Sequence, residues 1–195
     1  NWGKTLGEMH RAAKSYKPEN SKHSRLHWYE RDLMIEFKDF IGVQSDNFYK
    51  NTAAILQRAK SYPVNRNSYG LVHDDMHVRN FFVHKGNLNV FDFDDSEYHY
   101  FVYDIAVPLN RFIKADPVKT AQKVNFFMGN LMEGYSEANK LSKFWFSVLH
   151  DFIMVRRIYL LSMLYRAESL RYLTKGQRES VKRDIYLIEN EIPVT

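Results

Sequence analysis

The stretch YGLVHDDMHVRNFFVHKGNLNVFDFDD, residues 69–95, decides how this chain is read, because it sets a dense polar constellation inside a run of short strand patterns. Leu71 and Val72 lead into His73, Asp74 and Asp75, and Asn80 closes that loop before the apolar run Phe81, Phe82, Val83. Lys85-Gly86-Asn87 has the composition and length of a hairpin turn, after which Leu88, Val90 and Phe91 resume a strand that ends at Asp92. The pattern is therefore strand, loop, strand, turn, strand. The hairpin returns a second acidic cluster, Asp92, Asp94 and Asp95, beside the first. If Asp74, Asp75, Asp92 and Asp94 gather at one point, like charges ~4 Å apart repel by roughly 4 kcal/mol at an effective dielectric of about 20, and the site calls for a cation.

The spacing narrows the chemistry. Asp75 and Asn80 carry the D-x-x-x-x-N spacing of the kinase catalytic loop, His73 stands where that loop's leading histidine does, and Asp92-Phe93 stands where D-F-G begins, with Asp94 in place of the glycine. H-x-D-x-x-x-x-N followed by D-F-D, with His77 inside the loop, resembles the aminoglycoside phosphotransferase and choline kinase superfamily more than the eukaryotic protein kinases. The resemblance runs from Tyr69 to about Pro108 and includes Tyr103-Asp104-Ile105-Ala106, which is similar to that family's D-[LI]-A. It implies an α+β, mostly helical architecture: the C-terminal lobe of a protein-kinase-like fold, with a small β-hairpin carrying the catalytic loop. It also implies transfer of the γ-phosphate of ATP to a hydroxyl of a small molecule such as an aminoglycoside, an amino alcohol or a homoserine-like acceptor.

Under that resemblance each residue receives a role. Asp75 is the catalytic base that takes the acceptor's proton. Asn80 and Asp92 bind Mg²⁺ and, through it, ATP, with Asp94 a further candidate metal ligand; magnesium accepts few protein ligands when phosphate oxygens and water complete its octahedron. His73 fixes the loop backbone, His77 supports the loop or lines the cleft, and Asp104 either caps its helix or buttresses the loop from below. Asp74 occupies the place of the glycine in the family's H-G-D, where a positive φ is easier for glycine than for aspartate. Trp28, Tyr98, His99 and Tyr100 are candidates for lining the acceptor pocket.

Other readings of the same residues are weighed against this one. His73-Asp74-Asp75-Met76-His77 matches H-E-x-x-H with aspartate for glutamate, a zinc hydrolase pattern that requires a helix so that His73 and His77 share a face. A pseudokinase-like binding module is a further alternative, although the base and both metal ligands are present in the sequence. Gly3-Lys4-Thr5 matches the tail of a Walker A motif without its leading strand.

Around the central stretch the pattern is helical. Trp2, Leu6, Met9, Ala13 and Tyr16 trace one helical face, residues 25–41 read as a second helix, and Asp46 is the expected cap of a third that Pro63 stops. Further helices are expected over residues 100–115, from Asp116-Pro117 to about 134–138, over 141–172, and over 177–192. Nothing before Tyr69 reads as the sheet of a kinase N-terminal lobe, so residues 1–195 are expected to form the C-terminal lobe alone, with the nucleotide-clamping lobe outside them, inactive alone and with an exposed cleft face available for dimer formation. The chain has 195 residues, no cysteine and a net charge of +5 with its basic residues dispersed, which argues for one domain, against disulfides and against a nucleic-acid partner. Residues 148–165 are apolar but interrupted by His150, Asp151, Arg156, Arg157 and Ser162, which reads as a buried helix and not a membrane span. These features together suit a cytoplasmic protein.

Overall fold

A computed structural model describes residues 1–195 other than 21, 23, 113–116, 168 and 193–195; the side chains of residues 40 and 117–120 are also outside the description. In chain order the elements are α1 (Trp2–Ala13), α2 (Asp32–Ile35), α3 (Phe37–Phe40), α4 (Asp46–Lys60), β1 (Tyr69–Val72), β2 (Phe81–His84), β3 (Asn87–Val90), β4 (Glu97–Tyr100), α5 (Phe101–Asn110), α6 (Pro117–Ala138), α7 (Lys143–Ser147), α8 (Leu149–Arg166) and α9 (Lys175–Glu189). The architecture is mostly helical with a small antiparallel β component, as the sequence indicates. Asp116, the expected cap of α6, lies outside the described residues.

The chain forms two compact units, one of residues 1–27 and 63–149, the other of residues 28–62 and 150–195. The first unit holds the central stretch. Its hairpin pairs β2 with β3, Phe81 opposite Val90 and His84 opposite Asn87, around a turn in which Lys85 and Gly86 both take positive φ. A second ladder pairs β1 with β4, Tyr69 opposite Tyr100 and Val72 opposite Glu97. The sequence pattern did not reveal β4, because its inward-facing residues are Glu97 and His99 and the polar-apolar alternation is inverted. That ladder also recruits the segment before it: Tyr98 N–H donates to the Leu26 carbonyl and His27 bridges Tyr98 in parallel. The start of the expected helix over residues 25–41 is thereby extended, and beyond it the chain makes a 3₁₀ turn at Trp28–Glu30 and the short helices α2 and α3.

Helix α1 packs on α6 backbone to backbone. A Cβ on Gly3 would stand 1.8 Å from the Leu131 carbonyl oxygen, and one on Gly7 would stand 2.8 Å from the Tyr135 carbonyl oxygen. The Walker-like Gly3-Lys4-Thr5 is thus the interior of a helix, with Gly3 serving close approach and not phosphate binding. This also turns the helix from its expected orientation. The buried side is Gly3, Leu6, Gly7 and His10, while Met9, Ala13 and Tyr16 border an apolar pocket of about 460 Å³ together with Leu71, His73 and Phe93.

In the second unit α4 is capped by Ser45, whose hydroxyl accepts from Phe48 N–H, so Asp46 is its first residue and not its cap. Asn51 Nδ2 donates to the Glu189 carbonyl at 2.7 Å and joins α4 to α9, which opens on a Thr174–Gln177 capping box. Two of the charges interrupting α8 are in ion pairs, and Arg156 lies over the Tyr159 ring. Asp151 accepts from Arg58 Nε and Nη2 at 3.0 and 2.8 Å and from the Tyr62 hydroxyl, and Arg157 pairs with Asp184. Among the described residues no helix is long and apolar enough to cross a membrane.

Candidate active site

The loop between β1 and β2 and the end of the hairpin meet in the first unit. Asn80, at the entry to β2, uses its backbone carbonyl to accept from Phe91 N–H at 3.0 Å, which brings it beside Asp92 at the exit from β3. Its side-chain Nδ2 turns the other way and donates to the Asp75 carbonyl at 2.9 Å and to Asp75 Oδ2 at 3.1 Å. One asparagine therefore joins the loop aspartate to the hairpin. His77 Nε2 lies 3.2 Å from the same Asp75 Oδ2, and its Nδ1 accepts from Arg79 N–H, so Nε2 carries the proton and donates to the carboxylate. His73 is committed likewise: Nε2 donates to the Phe91 carbonyl at 3.0 Å and Nδ1 accepts from Asp75 N–H at 3.3 Å.

Two aspartates hold left-handed backbone. Asp74 has φ 71° and Asp92 has φ 67°, a region that disfavours every residue except glycine and, to a lesser degree, asparagine and aspartate. Asp74 is stabilised from below. Asp104, in the first turn of α5 and fully buried, accepts from Asp74 N–H through Oδ1 at 2.8 Å and from His73 N–H through Oδ2 at 3.0 Å, while His10 Nε2 donates to Oδ2 at 3.1 Å. Asp104 is therefore not a cap of its own helix. Burial alone would raise its pKa, but the His10 hydrogen bond, the His10 charge when protonated and the His73 amide outweigh burial and hold it below the ordinary carboxylate value.

The structure bears on three of these readings. Among the described residues no three His, Cys, Asp or Glu side chains form a group that could hold a metal ion by themselves; Asp92 and Asp94 are exposed, and Asp74 is buried. Residues 73–77 are not helical and both nitrogens of both histidines have partners, so the zinc hydrolase geometry is absent. His99 and Tyr100 are packed in the core and not exposed towards an acceptor. His99 stacks on Tyr103 with centroids 3.9 Å apart, Tyr100 packs on Trp145, and both are buried; Trp28 is buried too but lines a pocket with Met34 and Leu56, and Tyr98 is half-buried. The sequence pattern also gave no sign of His10 and Arg25. Arg25 Nη1 and Nη2 donate to the carbonyls of Asp94 and Phe93 at 2.9 and 3.3 Å and hold the D-F-D backbone in place.

Residues 1–138 match the model of the phosphotransferase enzyme family. The chain belongs to that family. It is 30% identical, over 99% of its own length, to the amicoumacin kinase of Bacillus subtilis (strain 168). It superposes on an amicoumacin kinase solved with AMP-PNP, Ca²⁺ and Ami with a TM-score of 0.88 at 28% identity over its full length, and on the choline kinase of Streptococcus pneumoniae with a TM-score of 0.63 at 14% identity over 97% of its length, which speaks to the fold alone. The chain spans 58% of the curated relative and 59% and 63% of the two solved ones.

For a phosphotransferase-family chain the donor set at the hairpin mouth suits a hard divalent cation. Asn80 commits its amide nitrogen to Asp75 and so retains its oxygen for a metal, and Asp92 offers an exposed carboxylate. Asp94 is exposed on the same loop, and among the described residues no hydrogen bond or ion pair joins its carboxylate to Asn80 or Asp92.

Proposed function

We propose that this chain carries the acceptor-activating and metal-binding part of an ATP-dependent phosphotransferase whose acceptor is a hydroxyl of a small molecule. The observation that carries the reading is the double role of Asn80, joined to Asp75 by its side chain and to the hairpin end beside Asp92 by its backbone. Asp75 takes the proton of the acceptor hydroxyl as that oxygen forms its bond to the γ-phosphorus and the bond to ADP breaks. His77 and Asn80 orient the carboxylate for this step. Asn80 and Asp92 hold Mg²⁺, which when bound neutralises charge on the phosphates. His73, Arg25 and Asp104 keep the two backbone segments in register. The nucleotide is clamped by a lobe outside residues 1–195, packed against the exposed side chains of Phe91 and Phe93. A cytoplasmic setting, one in which ATP is supplied, belongs to the same proposal.

The first acceptor to test is amicoumacin, because the curated relative and one of the solved structures reported above are amicoumacin kinases, followed by amino alcohols. The experiment is steady-state turnover of the full-length protein across such a panel, with Asp75→Asn and Asp92→Asn beside it. Asp75→Asn is expected to lower kcat by about 10²-fold or more with the KM for nucleotide little changed, and Asp92→Asn to raise the KM for Mg-nucleotide. Indistinguishable kinetic defects in the two variants, or no turnover of any hydroxyl acceptor, would overturn the assignment.

A further inference from the structure

Behind Asp104 lies a chain of buried hydrogen bonds that reaches α6 and that the proposed chemistry does not use directly. Asn139 Nδ2 donates to the Tyr135 hydroxyl oxygen at 2.8 Å, and that oxygen is 2.9 Å from His10 Nδ1. An amide nitrogen can only donate, so the tyrosine oxygen accepts from Asn139 and has its single proton left for His10 Nδ1. His10 then carries its own proton on Nε2, where Asp104 Oδ2 accepts it at 3.1 Å. Asp104 in turn receives the amides of His73 and Asp74. Every proton in this sequence of contacts has one donor and one acceptor, and the four side chains are buried.

We propose that Tyr135 and Asn139 are positioning residues of the phosphoryl-transfer site, acting through His10 and Asp104 to hold Asp74 in its left-handed conformation and Asp75 in place. This rests on the phosphotransferase reading. Geometry supports it twice more. Tyr135, in the last turn of α6, and Asn139, the residue just after that helix, are four residues apart, and Asn139 N–H still donates to the Tyr135 carbonyl at 2.9 Å, so the two present one face. The glycine contact of Gly7 with the Tyr135 backbone sets the distance at which the hydroxyl reaches His10, whose ring is also fixed by stacking on Phe101 with centroids 4.5 Å apart. A buried network of this kind specifies one arrangement when every member is satisfied and loosens as a whole when one is removed.

The test uses the full-length protein with Tyr135→Phe, which deletes only the hydroxyl, and Asn139→Leu, which removes the outer donor and carries the test alone if the first variant fails to fold. Leu131→Ala, one turn away on α6 and buried, serves as a control for general destabilisation. Exchange of the His73 and Asp74 amides is expected to accelerate in both relay variants by roughly three- to tenfold, the factor one ordinary hydrogen bond represents, with kcat falling by a similar factor and both KM values unchanged. Leu131→Ala lowers the melting temperature without this selective pattern. Unchanged exchange at those two amides in a folded relay variant, or equal acceleration by Leu131→Ala, overturns the proposal. Turnover by the wild type with unmoved amides refutes the relay and leaves the phosphotransferase reading intact, whereas accelerated amides in a protein that phosphorylates nothing refute that reading instead.

Discussion

Asp104 is a carboxylate fully removed from solvent that stays on the low side of its ordinary pKa, because the upward push of burial is outweighed by the hydrogen bonds and charge of His10 and His73. A folded-state pKa below the unfolded value means that the group adds stability at pH values above the unfolded one, near 3.8, and that this contribution disappears as pH falls through the folded value. Asp104→Asn replaces an acceptor with an NH₂ that faces other donors and is expected to cost about 1–3 kcal/mol at neutral pH. Urea unfolding of both proteins at pH 7 and at about pH 3 checks this: the gap should narrow in acid, and a gap independent of pH would refute it. Asp74 offers a second measurement. The sequence exposed the substitution of aspartate for glycine, and the φ of 71° shows that the position does need the left-handed region. Asp74→Gly and Asp74→Ala delete the same carboxylate, but only glycine is at ease there, so the alanine variant should be the less stable by about 1 kcal/mol. Equal stabilities would mean that the backbone relaxes without cost.

At the level of elements, what could be read from sequence was whatever depended on local pattern. The hairpin was legible because Lys85-Gly86 supplies a turn and its flanks are apolar, and α9 was legible from its periodicity. What depended on partners was not. Strand β4 exists because β1 stands opposite it, and the Arg25–His27 segment is extended because β4 offers an edge. The orientation of α1 escaped the hydrophobic pattern because two of its buried residues are glycines and a third is His10, none of which scores as apolar. For the candidate site, spacing singles out Asp75, Asn80 and Asp92, whereas His10, Tyr135 and Asn139 come from α1, the last turn of α6 and the residue after it, far away in sequence. The glycine contact makes the element-scale expectation: Gly3→Ala drives a methyl into the Leu131 carbonyl, 1.8 Å from the ideal Cβ position, and should destabilise the protein by about 3 kcal/mol, the upper part of the usual overpacking range. Gly7→Ala, at 2.8 Å from its nearest backbone oxygen, should cost less. Thermal melting of the two variants orders them, and an unchanged melting temperature for Gly3→Ala would show that α1 and α6 are not held at this distance.

For the whole chain the question is how much of a nucleotide site residues 1–195 contain. Asn80 and Asp75 are hydrogen-bonded, and Asp92 and Asp94 lie exposed on the loop that leaves the hairpin; acidic groups of this kind attract a cation and repel phosphate. The nearby guanidinium of Arg25 is occupied by the carbonyls of Phe93 and Asp94, and Lys85 sits in the turn at the far end of the hairpin. Electrostatic stabilisation of a triphosphate needs cationic or N–H donors aimed at its oxygens, and these residues supply it only through a bound metal. The apolar groups that border the mouth, Phe91 and Phe93, are also half exposed and in want of a cover. We therefore expect residues 1–195 by themselves to melt cooperatively, to bind ATP no more tightly than millimolar by calorimetry, to lose even that binding when divalent cations are chelated, and to turn over no acceptor. Micromolar affinity for ATP in this chain alone, or binding that survives chelation, would mean that phosphate-holding groups lie within it and that the separate clamping lobe is not required.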